Sequence, residues 1–328
     1  MRINTKLPTN FHLNAFRETG LRVIGAALLL LSLLPGCQTQ KRFNDGFCSV
    51  GSEEVNTIMA HWARTFAEQN RLSAEPVHEG RGNLVAPDAL LREVCDLAPM
   101  SLPMPDSQIH AFIMKYKAPP VAVPIAIDAM AIIVHPDVPV AELTYADIQA
   151  IYSRPNATLD NGYQFQKVYG INTATTRIQW FRREFLNTRR ESDHVVELSG
   201  PLALVDRIAA TENSIGYARP EETVGTDVRL VSLGRAARNG QPAIAPVAPT
   251  PDEIRLGRYP LKRYYYIYLP PIERELPINA QAIAFARYML SDAAQAMLRP
   301  VGLYPVNPEA RRNALDTLAG YAQNTLQN

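Results

Sequence analysis

The stretch Gly51-Ser52-Glu53-Glu54-Val55-Asn56-Thr57-Ile58-Met59-Ala60-His61-Trp62 decides how the chain is read. It follows a strand-like run, Cys48-Ser49-Val50, and turns at Gly51. Ser52 suits the cap position, because a serine hydroxyl accepts from the unpaired N–H groups of a first helical turn. Val55, Ile58, Met59, Trp62 and Phe66 then recur at helical spacing, which predicts an amphipathic helix over 53–70. A strand, a glycine turn and a capped helix make the opening unit of an α/β protein.

The same alternation continues downstream. Residues 74–79 read as a strand that runs into Gly80-Arg81-Gly82-Asn83, and Pro87 suits the first turn of a helix reaching Val94. Asp96–Met100 is a third strand, ending at Ser101, and Val121–Ile127 and Ala131–Val134 are two more. Helices are expected at 144–151, 175–187 and 200–210, and strands at 167–170, 215–218 and 228–233. The Pro/Ala-rich 242–251 stretch precedes an aromatic strand, Arg263–Leu269, whose tyrosines alternate as strand packing requires. A long helix over Asn279–Leu298 presents Ile283, Ala286, Leu290, Ala293 and Met297 on one face. The pattern gives an α/β fold with mainly parallel sheet.

The amino terminus is of another kind. Arg2, Lys6, Arg17 and Arg22 stand against a single acid, Glu18, ahead of the apolar run Val23–Leu34. That run is too short to span a bilayer, which needs about 20 helical residues, and has the length of a secretory core. Leu34-Pro35-Gly36-Cys37 resembles the bacterial lipobox, which implies a leader at 1–36 and a lipid anchor at Cys37. Gln38 then resembles the outer-membrane sorting pattern of enteric-type bacteria. The chain as written has 328 residues and a net charge of +1. Without the leader it has 29 bases against 31 acids, which offers none of the basic excess of a nucleic-acid binder. Cys48 and Cys95 remain in an oxidising compartment, each at the start of a strand, so a disulfide between them stays open beside two buried thiols.

Catalytic signatures are absent. The six histidines stand at 12, 61, 78, 110, 135 and 194, with no metal-ligand spacing, and there is no nucleophile elbow, phosphate-binding loop or dinucleotide fingerprint. Neither enzymatic activity nor a cofactor nor a metal is expected. What remains is a set of loops of small polar residues, each feeding a helix: Gly51-Ser52, Gly80–Asn83, Met100-Ser101 and Asn172–Arg177. Converging helix starts present unpaired N–H groups and partial positive charge, the requirements of an anion site.

In this order, the segments resemble the substrate-binding protein of phosphate ABC transporters, a type II periplasmic binding protein. The resemblance rests on residues 51–62, Asp96-Leu97-Ala98-Pro99-Met100-Ser101-Leu102-Pro103, Pro124–Ala131, Leu143–Ser153, Ser214-Ile215-Gly216-Tyr217 and Gly257-Arg258-Tyr259-Pro260-Leu261. It implies a two-lobed clamshell with two crossover strands: residues 37–46 as linker, 47–125 plus 255–328 as one lobe, and 126–254 as the other. It further implies a periplasmic, lipid-anchored monomer that binds a small oxyanion, by default phosphate, for a membrane permease. The alternative is a degenerate binding fold kept as an envelope interaction or sensory lipoprotein.

The implied ligand residues are Ser52, Glu53, Glu54, Arg81, Asn83, Ser101, Thr175, Thr176 and Arg177. Several depart from the family pattern. Glu53 and Glu54 fall where the family offers a threonine hydroxyl and a backbone N–H, and Ile171 falls on the family's phosphate-pairing arginine. Arg177 or Arg81 is left to replace that arginine. A carboxylate about 4 Å from an anion costs on the order of 4 kcal/mol at an effective dielectric near 20, whereas a helix start returns roughly 0.3–2 kcal/mol. Three placements of the glutamates stay open: in the cleft against the anion, outward along the helix dipole, or accepting from a protonated ligand oxygen.

Overall fold

The computed structural model describes residues 46–236, 242–272 and 279–325. The leader at 1–36 and the anchor at Cys37 lie outside the described residues. In chain order, β1 (Cys48–Gly51) passes through a turn of 3-10 helix, Glu53–Val55, into α1 (Asn56–Asn70). β2 (Val77–Gly80), α2 (Ala86–Leu91), β3 (Ala98–Met100) and α3 (Asp106–Tyr116) follow. β4 (Val121–Ala129) and β5 (Ala131–Val134) lead into the second lobe. There come β6 (Glu142–Thr144), α4 (Tyr145–Ser153), β7 (Lys167–Ile171), α5 (Thr176–Glu184), β8 (Val196–Leu198) and α6 (Pro201–Ala209). β9 (Ser214–Ala218), β10 (Arg229–Leu230), β11 (Ser232–Arg235) and β12 (Ile244–Val247) complete it. After α7 (Pro251–Arg255), β13 (Lys262–Leu269) returns, and α8 (Ala280–Met289), α9 (Asp292–Ala296) and α10 (Pro308–Thr325) follow.

The sheets explain where the loops gather. β1 pairs in parallel with β2, from Cys48 opposite Val77 to Gly51 opposite Gly80, and Ser49 bridges in parallel to Leu97. The carboxyl ends of β1, β2 and β3 therefore lie side by side. Close approach there demands Gly51: a Cβ at this position would stand 1.9 Å from the Pro99 carbonyl oxygen. Ser52 N–H donates to that same oxygen at 2.8 Å, and Gly82 N–H donates to Gly51 O at 2.8 Å.

β13 pairs antiparallel with β3 on one side and with β4 on the other. The second lobe holds a five-stranded sheet, β10-β5-β9-β7-β8, and a three-stranded one, β12-β11-β6. Parallel pairing, expected to dominate, joins only β1 to β2, β7 to β8 and β9, and β6 to β11. The other five pairings among the described residues, including β5 with β9 and β10 and β11 with β12, are antiparallel. The strands that link the lobes run antiparallel, because the chain must leave and return along the same path.

Each lobe buries its own apolar cluster. Trp62, wholly buried, packs with Ile58, Phe285 and Met289 in the first, and its Nε1–H donates to Ala294 O at 2.9 Å. Phe181, Tyr217, Ile133 and Leu204 pack in the second. Burial of about 25 cal/mol per Å² of apolar surface holds each cluster.

Two expectations are corrected, and the alternative left open for Cys48 and Cys95 is decided. The helix expected over 279–298 breaks after Met289, because Ser291 Oγ accepts from Ala294 N–H at 3.2 Å and starts a new helix. The strand expected at 228–233 is two strands, 229–230 and 232–235, which pair with different sheets. Cys48 and Cys95 are not bridged: both are buried thiols, and Cys48 Sγ donates to Val94 O at 3.3 Å. Helices α3, α7 and α10 have no counterpart in the sequence reading.

Candidate functional site

In α/β folds, ligands are held beyond the carboxyl ends of strands. Ser52, Asn83 and Ser101 follow β1, β2 and β3, and they join in one hydrogen-bonded cluster. Ser52 Oγ lies 3.0 Å from Ser101 Oγ, Asn83 Nδ2 donates to Ser101 Oγ at 3.0 Å, and Ser101 N–H donates to Asn83 Oδ1 at 2.8 Å. Both serines are wholly buried. Ser52 Oγ also caps the following turn, accepting from Glu54 N–H at 3.3 Å, as its position predicts. His78 braces the cluster from beneath, its Nδ1 2.9 Å from Ser49 Oγ and its Nε2 3.3 Å from Ser52 O. Burial holds this imidazole below its ordinary value, against the raising effect of the Ser52 carbonyl.

Across the cleft, α5 begins at Thr175, whose Oγ1 accepts from Ile178 N–H at 3.4 Å. The next donor, Arg177 N–H, reaches into the other lobe and donates to Glu54 Oε1 at 3.2 Å. The Arg177 side chain turns to the hinge, where Nε donates to Asp128 Oδ2 at 2.9 Å. Arg263, from β13, donates to the same oxygen through Nε at 2.9 Å and Nη2 at 2.7 Å, and to Glu54 Oε2 at 3.0 Å. Tyr265 OH donates to Asp128 Oδ2 at 3.2 Å. Two acids and two bases thus form one network that ties both lobes to the hinge.

Burial sets the electrostatics of that network. Asp128 and Arg263 side chains are 1% and 3% exposed. Burial alone would raise the Asp128 carboxyl, but the Arg177 and Arg263 guanidiniums outweigh it and bring it down to about 2. Burial disfavours the charged form of Arg177 as well, and the Asp128 carboxylate reverses this and holds it above its ordinary value. The Arg263 guanidinium also lies 5.4 Å from the Trp180 ring centre and 5.1 Å from that of Tyr265, within cation–π range. Asp128 Oδ1 and Arg263 Nη1 are buried with no hydrogen-bond partner among the described residues.

The remaining sequence candidates fall elsewhere. Glu53 is exposed beside Gly82. Arg81 is a surface residue, its side chain 65% exposed and paired with Glu79 at 2.6 Å. Thr176 is half-buried at the start of α5. Ile171 is 1% exposed in the second core, where its N–H donates to Tyr217 OH at 3.0 Å and its carbonyl accepts from Arg182 at 2.6 Å. Position 171 is therefore a packing position in this chain, and the guanidiniums of the network come from α5 and β13.

Asp128, Arg263 and Tyr265 were missed in the sequence. A signal existed: Asp128 is the one charge in the apolar run Pro124–Ala131, and a lone charge in a buried strand needs a partner. Beside this network lies a cavity of about 290 Å³, lined by Glu54, Thr57, Arg177, Arg219, Tyr265 and Val301 among others. Among the described residues no cluster of His, Cys, Asp or Glu is arranged to hold a metal ion. No helix among them is long and apolar enough to cross a membrane.

The sequence model of the PBP superfamily domain matches residues 45–293. The phosphate-binding protein PstS of Pseudomonas aeruginosa is 27% identical over 320 residues, covering 92% of this chain and 96% of that protein. Among solved structures, a possible phosphate binding protein from Planctomyces limnophilus superposes with a TM-score of 0.65 at 17% identity, over 84% of this chain and 98% of that one. An ABC-type phosphate transport receptor from Vibrio cholerae gives 0.63 at 18% identity, over 79% and 99%.

Proposed function

The chain belongs to the PBP superfamily, and from that membership we propose that it is an extracytoplasmic substrate-binding protein taking a small oxyanion, phosphate, for an ABC transporter permease. One observation carries the reading. Glu54 joins the buried Ser52–Asn83–Ser101 cluster of the first lobe to the start of α5 in the second: its own N–H donates to Ser52 Oγ at 3.3 Å, and its Oε1 accepts from Arg177 N–H at 3.2 Å. Hydroxyl, amide and helix-start donors converging from two lobes suit a tetrahedral oxyanion. The name of the Pseudomonas aeruginosa relative supports phosphate as the ligand.

In this reading Ser52, Asn83 and Ser101 donate from the first lobe, and Thr175, Thr176 and the Arg177 N–H from the second. The lobes comprise 47–125 with 255–328, and 126–254. The protein works as a monomer without enzymatic activity. Residues 1–36 direct it to the periplasm and Cys37 anchors it by lipid, with Gln38 favouring the outer membrane.

Calorimetry with phosphate and with sulfate tests the ligand. Phosphate binding that is lost in the double variant Ser101→Asp, Thr175→Ala supports the proposal, and no heat from either anion removes it. The anchor is tested separately: Cys37→Ala, or globomycin treatment, is expected to block maturation, and an unchanged mature mass would remove the lipid.

A further inference from the structure

Glu54 stands where the proposed ligand belongs. Its two carboxylate oxygens take the two kinds of donor that an oxyanion site offers: Oε1 takes the Arg177 backbone N–H at the start of α5, and Oε2 takes the Arg263 guanidinium at 3.0 Å. The contact crosses from one lobe to the other. The side chain is 12% exposed, so this is a seated group and not a solvated one. Charge closes as well: Glu54 and Asp128 face Arg177 and Arg263, with no positive charge left over within the network. Arg219, which also lines the neighbouring cavity, is paired with Glu222 at 2.9 Å, so an anion added beside the intact network would meet the Glu54 carboxylate and guanidiniums that already hold acid partners.

We propose that Glu54 is a built-in occupant of the oxyanion site. Its carboxylate substitutes for one face of the ligand and fastens the lobes together. An external anion enters by displacing it from Arg177 N–H and Arg263, and Glu54 thereby sets both the affinity and the open–closed equilibrium of the cleft. Only ligands with at least two acceptor oxygens can take over both contacts, which selects tetrahedral oxyanions and carboxylates over neutral solutes. The inference rests on the oxyanion reading of this cleft and adds its internal competitor. Population shift supplies the mechanism, since a group that binds only the closed state holds the lobes there until it is displaced.

The test compares the wild-type chain with Glu54→Gln and Glu54→Ala. Inorganic phosphate binding is followed by calorimetry, and lobe opening by the radius of gyration from X-ray scattering with and without phosphate. Both variants are expected to bind phosphate at least 10-fold more tightly than wild type. Glu54→Ala is expected to expand without phosphate and contract with it, while wild type stays compact throughout. Glu54→Gln keeps the size of the side chain and guards against a folding defect. Phosphate binding that is equal or weaker in both variants overturns the inference and leaves the oxyanion reading intact. If no form binds phosphate, the oxyanion reading fails, and scattering decides the rest: expansion of Glu54→Ala supports the internal fastening and an unchanged radius overturns it.

Discussion

Arg263 and Asp128 are directly opposite partners across the antiparallel β4–β13 pair, joined through Nε and Nη2 at 2.9 and 2.7 Å. The two strands that connect the lobes therefore carry a buried ion pair one step from the Lys262–Ala129 end of their ladder, and Arg177 and Glu54 are attached to it from either side. A buried pair of this kind adds little net stability over apolar residues of the same size, but removing one partner strands the other.

Acid should loosen this hinge. The Arg177 and Arg263 guanidiniums hold the Asp128 carboxyl down to about 2 in the fold, below its ordinary value of 3.8. A depressed carboxyl contributes stability that is fully present above about pH 4 and is lost as the pH falls through 2. The difference corresponds to about 2 kcal/mol. Urea unfolding between pH 5 and pH 2 should show that loss, and Asp128→Asn should flatten it while costing on the order of 3–5 kcal/mol near neutrality.

Gly51→Ala should damage fold and site together. The new methyl would meet the Pro99 carbonyl oxygen at 1.9 Å, and neither backbone has a flexible end to yield. We expect a loss of roughly 1–3 kcal/mol in urea unfolding. Weaker phosphate binding should accompany it, because Ser52 N–H is held by the same oxygen.

Gln295 offers a test of how the hinge strand is held from behind. Its Nε2 donates to Ile125 O at 2.9 Å and Met289 O at 2.7 Å, and its Oε1 accepts from Val306 N–H at 2.9 Å. Gln295→Leu would leave three buried backbone groups without partners. A destabilisation of at least about 2 kcal/mol is expected, measured as a shift in the urea midpoint with unchanged slope.

Cys95 should be chemically silent in the native protein. Burial first, and then the neighbouring Cys48, push its thiol above the ordinary value, leaving almost no thiolate at pH 8. Mass spectrometry after iodoacetamide treatment should find Cys95 unmodified in buffer and modified in urea. Rapid labelling in buffer would contradict the buried placement.

Much of the architecture is legible in the sequence because it obeys short-range rules. β1, β7 and β9 follow from apolar runs with glycine or serine at or near an end, α1 and β5 from their apolar residues alone, and Ser52 caps its turn as its position predicts. The break at Ser291 was hidden, since Ile283, Ala286, Leu290 and Ala293 keep a helical period straight through it. A hydroxyl that caps a new helix looks, in sequence, like one exposed serine on the old one. The site divides in the same way. Ser52, Asn83 and Ser101 come together because each ends a strand. Arg263 and Asp128 are 135 positions apart, and only strand register makes them partners. Arg81 misled for the opposite reason, since a charge beside a ligand loop is free to turn to a nearer acid, Glu79.

The return of β13 along β4 has a consequence for how the molecule is built. Lys262–Leu269 matches Val121–Ala129 along its whole length, and Met130 N–H donates to Leu261 O at 3.1 Å just beyond it. The segment between Met130 and Leu261 thus enters and leaves through a single two-stranded stem. In topological terms it is an insertion in the first lobe, with its ends already zipped together. Such a stem bends and twists as one ribbon, so the lobes cannot slide past each other without breaking register. Their motion reduces to the flexing of one strap, and the Asp128–Arg263 pair is its rivet.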